Sequence, residues 1–366
     1  MISRASKERR RVGFTVALTI MGLSLVSLAT AFVVDTCIRQ RHPITTCRRQ
    51  TRSSSCVLKS FGNHYLDFRN TRNDNIGVQT QALVPGGVPI RRSNNRLPVV
   101  AGNWKLNPST VQEAANLLNL LASNFIHHRN GETAPEVIVF PPYPYLERAV
   151  SLLEGTGIKV GAQDVGVETK GAFTGDVSPS MVRSLGCDFV MVGHSERRTL
   201  YGETDETINA KIKLSLKEPG LKIILCVGET LNEYENNFLS KVVNFQIKKA
   251  LNGITREDIV ASISTTDIIR LVVAYEPVWA IGTGKVATPS QAQVAHLVVR
   301  KTLRELYGSE VAEKIQIQYG GSVTPDSILD LISMPDVDGA LVGGASLTAD
   351  GFTRIVDGAA ESLSSY

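Results

Sequence analysis

The chain has 366 residues, 43% of them apolar and 20% charged, and a formal net charge of +4. That average joins two unlike pieces: residues 1–96 hold 16 Lys and Arg against 4 Asp and Glu, a net of +12, which leaves 23 against 31, a net of −8, for the 270 residues that follow. The basic surplus belongs to a leader, so it is no argument for nucleic-acid binding by the folded part, for which no nucleic-acid partner is expected. Of the five cysteines, Cys37, Cys47 and Cys56 fall in the leader, and Cys187 and Cys226 lie beside or inside apolar runs. No CxxC or Cys/His spacing points to a metal, and both core thiols read as small buried hydrophobes.

The leader divides again. Arg4, Lys7, Arg9, Arg10 and Arg11 form a positive start, Val12 to Val34 is mostly apolar, and Ala29-Thr30-Ala31 offers a small-residue cleavage site, so residues 1–34 read as a signal peptide. The rival is an uncleaved anchor, since Phe14 to Val34 is about long enough to cross a ~30 Å hydrocarbon core. Residues 35–96 are rich in Arg, Ser, Thr and Asn, with Asp35, Asp67 and Asp74 the only acids. No apolar period runs through them, and the composition is that of a mostly disordered transit peptide. Signal followed by transit peptide, with Phe32 just after the cleavage site, resembles the leaders of proteins sent to plastids of secondary origin. The alternative is a secreted or membrane-anchored protein with a basic linker. Any membrane contact would come through this leader.

From residue 97 the chain alternates apolar runs with amphipathic stretches. Strands are predicted at Val99–Gly102, Val137–Pro141, Ile158–Ala162, Phe189–Val192, Lys222–Val227, Leu271–Glu276, Ile315–Tyr319 and Gly339–Val342. Helices are predicted over Val111–Arg129, Asp205–Glu218, Glu233–Leu251 and Ser290–Tyr307, and Ile254–Arg270 reads as a long connection on the amino-terminal face. Most of the strands are nearly continuous in apolarity, as a parallel sheet buried on both faces requires. The seventh alternates through Gln316 and Gln318. Eight β-then-α units over 97–366 predict one α/β domain closed as a (β/α)8 barrel, near the ~250 residues typical of it. A doubly wound sheet is the rival, but no G-x-G-x-x-G follows a strand and opens a helix.

Polar residues gather where these strands end. Asn103-Trp104-Lys105 follows the first and Gly193-His194-Ser195-Glu196-Arg197-Arg198 the fourth. Glu276-Pro277-Val278-Trp279 ends the sixth and runs into a loop with Gly282 and Gly284, which reads as a lid. Gly320-Gly321-Ser322 follows the seventh strand and Gly343-Gly344-Ala345-Ser346 the eighth, where such barrels cradle phosphate.

These five motifs, in this order and spacing across about 97–363, resemble triosephosphate isomerase, whose fold is the TIM barrel. The resemblance implies interconversion of dihydroxyacetone phosphate and D-glyceraldehyde 3-phosphate through an enediolate, with no cofactor. It implies Glu276 as general base and His194 as a neutral electrophile, its pKa lowered by the helix that starts near Ser195. Lys105 and Asn103 would face the substrate oxygens, with Ser195 and Glu196 behind them. Gly282, Ser322, Gly343 and Gly344 would bind the phosphate. Gly171-Ala172-Phe173-Thr174-Gly175-Asp176 resembles the family's dimer loop, which implies a homodimer with Thr174 reaching the partner. A Cys that the family often carries after Gln163 is absent from Gln163-Asp164-Val165. A different sugar-phosphate barrel enzyme, or a non-catalytic relative, would lack one of Lys105, His194 and Glu276.

Overall fold

The computed structural model describes residues 96–364 apart from 126–133, 264–265, 282 and 284. The signal-like segment 1–34, the transit-like segment as far as residue 95, and the end of the helix predicted to Arg129 lie outside the described residues.

The strands are β1 (Val99–Asn103), β2 (Glu136–Phe140), β3 (Lys159–Ala162), β4 (Phe189–Val192), β5 (Lys222–Val227), β6 (Val260–Ile263), β7 (Thr266–Ile269), β8 (Leu271–Tyr275), β9 (Gln316–Tyr319) and β10 (Gly339–Val342). Eight of them pair in parallel and close in the order β1-β10-β9-β8-β5-β4-β3-β2. Val99 opposite Gly339 seals the first strand to the last. The helices are α1 (Val111–Phe125), α2 (Leu146–Leu153), α3 (Pro179–Ser184), α4 (Ser195–Leu200), α5 (Asp205–Ser215), α6 (Leu231–Glu235), α7 (Leu239–Ala250), α8 (Arg256–Ile259), α9 (Pro289–Ala312), α10 (Ile328–Ile332) and α11 (Ala349–Ser364).

The period of two along each strand divides the apolar residues between two cores. Val99, Ala101, Phe189, Met191, Cys226, Val272, Ala274 and others fill the barrel interior. Their neighbours Val100, Val190, Val273 and Tyr275 point outward to the helices. This double burial is why the runs read as continuous. Gln318 keeps the alternation but faces inward, fully buried, with its amide donating to Val99 O at 3.1 Å and Ala340 O at 3.3 Å. Cys187 and Cys226 are both buried, and burial pushes the Cys187 thiol up to about 12.

The amino end of the barrel is tied by charge. Asp338, just before β10, accepts from Arg96 Nε at 2.7 Å and Arg300 Nη2 at 2.8 Å, and both guanidiniums are buried. Arg96 also donates to Pro335 O at 2.9 Å, so the last residue of the basic leader is bonded into the barrel.

Three predicted elements differ. Glu233–Leu251 is two helices, because the chain turns at Asn237 with φ 59° while Phe238 N–H bonds back to Glu233 O at 2.8 Å. The helix predicted to end at Tyr307 does leave helical geometry at Gly308 (φ 77°, ψ 163°), but α9 adds a further turn to Ala312. The long connection is α8 followed by an antiparallel hairpin of β6 and β7, which feeds straight into the amino end of β8.

Candidate active site

Strand parity decides which side chains reach the barrel mouth. On β8, Val272 and Ala274 point inward, so Glu276, two residues on, does so too. On β1 the inward set runs Val99, Ala101, Asn103 and then Lys105, while Trp104 is buried on the outer side. On β4 the same rule would turn His194 outward. Gly193, at φ 72°, breaks the alternation and brings the imidazole to the mouth. A Cβ there would also meet Ile208 Cδ1 at 2.9 Å.

Asn103, Lys105, His194, Glu276, Ser322, Gly343 and Gly344 line one cavity of about 360 Å³. Ser195 and Glu196 stand directly behind it. Glu276, 2% exposed, accepts from the Ser195 backbone N–H on Oε2 at 2.8 Å, and its Oε1 lies 2.9 Å from His194 Nε2. His194 caps α4, and its Nδ1 accepts from the Glu196 N–H at 3.2 Å. An Nδ1 so filled leaves the ring proton on Nε2, pointing at Glu276. Lys105 Nζ pairs with Glu196 Oε1 at 2.5 Å.

Lys105 itself is strained. Its φ of 53° lies in the left-handed region, at a cost on the order of 1–3 kcal/mol for a residue with a side chain. Two hydrogen bonds hold it there: its N–H donates to Asn103 Oδ1 at 2.9 Å, and its carbonyl accepts from Gln163 Nε2 at 2.8 Å. The ammonium is thereby aimed before any ligand arrives.

Burial alone would raise the Glu276 pKa, but the His194 imidazole, the Ser195 N–H and Lys105 hold it below the usual carboxylate range. Burial would lower the His194 pKa, and the Glu276 carboxylate outweighs it, so the ring binds its proton more tightly than usual. The expected lowering of His194 is thus reversed while the two side chains touch. Helix α4 has six residues, and a contact with a buried carboxylate exceeds what so short a dipole supplies.

The two glycine pairs serve different ends. A Cβ on Gly320 would stand 2.9 Å from Glu276 Cγ, and one on Gly321 2.2 Å from the Tyr319 hydroxyl. That pair makes room for the base and the chain beneath it. A Cβ on Gly344 would meet nothing, and one on Gly343 only Lys105 Cε at 3.7 Å, so an anion can approach that backbone closely.

Gly282 and Gly284 lie outside the described residues. Thr174 is exposed in the 171–176 loop and does not line the cavity. Trp279, at the start of the segment read as a lid, is 6% exposed on a single 3₁₀ turn. It stacks on Tyr234 with ring centres 4.2 Å apart, and its Nε1 donates to Glu229 Oε1 at 2.8 Å. Glu229 is the functional neighbour that sequence reasoning missed. It stands in Gly228-Glu229 just past β5, and the search for polar residues at strand ends would have found it there. Among the described residues no three His, Cys, Asp or Glu side chains group as metal ligands.

Carboxylate, imidazole and ammonium around a glycine-floored cavity define a barrel enzyme built for acid–base chemistry on a small anion. The sequence pattern of the family described as triosephosphate isomerase matches residues 98–359. The chain is 49% identical over 261 residues to a triosephosphate isomerase of Roseiflexus sp. (strain RS-1), covering 71% of this chain and 97% of the relative. It is 47% identical over 263 residues to that of Carboxydothermus hydrogenoformans, with 72% and 99% covered, and 47% over 262 residues to that of Clostridium tetani, with 72% and 96% covered. The chain belongs to the triosephosphate isomerase family.

Proposed function

We propose that this protein interconverts dihydroxyacetone phosphate and D-glyceraldehyde 3-phosphate by moving a proton between adjacent carbons. The observation that carries the proposal is the direct contact of Glu276 with His194 at the mouth of the cavity, with Lys105 beside them. In this structure the carboxylate is occupied by the Ser195 N–H and the imidazole. A carbonyl substrate offers His194 Nε2–H a better-placed acceptor, its own oxygen, and releases the carboxylate towards the carbon. Freed of the groups that depress its pKa and still buried, Glu276 becomes the stronger base.

Glu276 takes a proton from C1 of the ketose, and the electron pair forms the C1–C2 double bond of an enediolate. It then returns the proton to C2, while the hydroxyl proton passes between O1 and O2 through His194. Lys105 and the His194 N–H stabilise the charge on those oxygens, and Asn103 orients them. Ser322, Gly343 and Gly344 hold the phosphate, so binding energy away from the reacting carbons fixes their position.

The protein acts as a homodimer through the 171–176 loop. Leu106 (94% exposed), Leu200 (72%), Tyr201 (70%) and Phe173 (46%) support this, being large exposed apolar side chains in the segments that follow β1, β3 and β4. The leader directs the protein to a plastid of secondary origin, with the secretory pathway as the alternative, a reading supported by its composition.

Shortening the base tests the chemistry. In an assay coupled to glyceraldehyde 3-phosphate, Glu276→Asp should lose kcat on the order of 10²-fold, from a misplacement of about 1 Å, while inhibition by inorganic phosphate stays unchanged. Undiminished turnover would remove Glu276 from the role. Sedimentation of the 97–366 segment should give a dimer, and a fully active monomer would refute the loop's role. A fluorescent reporter fused to residues 1–96 should enter the plastid of a host that has one; cytosolic retention would refute the targeting proposal, and secretion would favour the signal-only alternative.

A further inference from the structure

Gly228 lies against the main chain of Glu276. A Cβ built on Gly228 would stand 1.7 Å from the Glu276 carbonyl oxygen and 2.7 Å from its carbon. Glycine therefore sets how closely the ends of β5 and β8 approach. The parallel ladder still holds at this level, where the Glu276 N–H donates to Val227 O at 2.7 Å.

Beyond that bond the chain is gripped by a side chain. Gln246, on the α7 helix outside the barrel, accepts from the Gly228 N–H through Oε1 at 2.8 Å and donates from Nε2 to the Gly228 carbonyl at 3.1 Å. One amide so stands in for a backbone partner on both sides of one residue. The following residue, Glu229, accepts from the Tyr275 hydroxyl at 2.9 Å and from Trp279 Nε1 at 2.8 Å. A single turn thus touches the main chain of Glu276 and anchors the start of the loop that follows it. The Gln246 amide fixes that turn from behind, and Gln246 does not line the cavity.

We propose that Gln246 is a positioning residue for the isomerisation, acting through Gly228 on Glu276 and through Glu229 on Trp279. The inference rests on Glu276 being the base. With the amide gone, the turn can relax away from Glu276, and the carboxylate shifts relative to the carbon it must reach. The phosphate cradle belongs to β9 and β10, on other strands, and stays as it is.

Gln246→Met tests this, because it keeps the length and packing of the side chain and removes both hydrogen bonds. Gln246→Glu keeps the acceptor for the Gly228 N–H and loses the donor. Asn244→Ala, on the same helix, removes a hydrogen bond to Thr302 Oγ1 (3.2 Å) that leads nowhere near the site. We expect kcat of Gln246→Met to fall about 10-fold, with KM and inhibition by inorganic phosphate within about 2-fold of wild type, as for a loss confined to the transition state. Gln246→Glu should recover part of that loss, and Asn244→Ala should lower the Tm with kcat intact. Wild-type kcat in a folded Gln246→Met protein overturns the proposal, as does a fall in kcat matched by weaker phosphate inhibition. Should the Met variant not fold, Gln246→Glu decides: reduced kcat with unchanged phosphate inhibition supports the proposal, and unchanged kcat overturns it. A wild-type protein without triose phosphate turnover defeats the isomerase reading instead, before any variant is compared.

Discussion

A buried carboxylate and a buried imidazole in direct contact hold this site in its resting state. Glu276 Oε1 and His194 Nε2 lie 2.9 Å apart, and each changes the other's proton affinity, the carboxylate's downward and the imidazole's upward. In so dry a pocket the Glu276 carboxylate keeps its charge because the Ser195 N–H and the His194 Nε2–H both donate to it. The Glu196 N–H on His194 Nδ1 fixes which ring nitrogen carries the proton. Displacing this contact costs the attraction between the pair. That loss raises the basicity of Glu276 only once a substrate oxygen has taken its place at His194.

The rest of the barrel serves to bring these two groups together. Parity along β8 turns Glu276 inward, and Gly193 breaks parity on β4 to turn His194 inward. Gly228 and Gly320 flank Glu276 so closely that a side chain on either would displace it. Lys105 is held in a left-handed conformation by Asn103 and Gln163, which stores strain where an aimed charge is needed. At the opposite end, Asp338 between Arg96 and Arg300 ties the strands that carry Lys105 and the phosphate turns.

Much of this was legible in the sequence because two-sided burial leaves a strong mark. Phe189–Val192, Lys222–Val227 and Gly339–Val342 were read to the residue. The strand-end rule found Asn103, Lys105, His194 and Glu276, which share one cavity. Local geometry was harder to read. The break at Asn237 lies between two stretches that are each amphipathic, so the helical period runs through it. The β6–β7 hairpin has short strands interrupted by Ser and Thr, and it pairs only with itself. The burial of Trp279 was not legible because its partner, Glu229, is 50 positions away and becomes its neighbour only when β5 and β8 pair. The His194 pKa followed the wrong cause for the same reason: the helix after it is local in sequence, whereas Glu276 is 82 residues distant.

The contact itself can be measured. Titration of the His194 ring by nitrogen NMR in the ligand-free protein should place its pKa above the ordinary 6.5, and Glu276→Gln should lower it, since burial then acts without the carboxylate that chiefly opposed it. An imidazole that titrates alike in both proteins would contradict the pairing of base and electrophile on which the proposed chemistry stands.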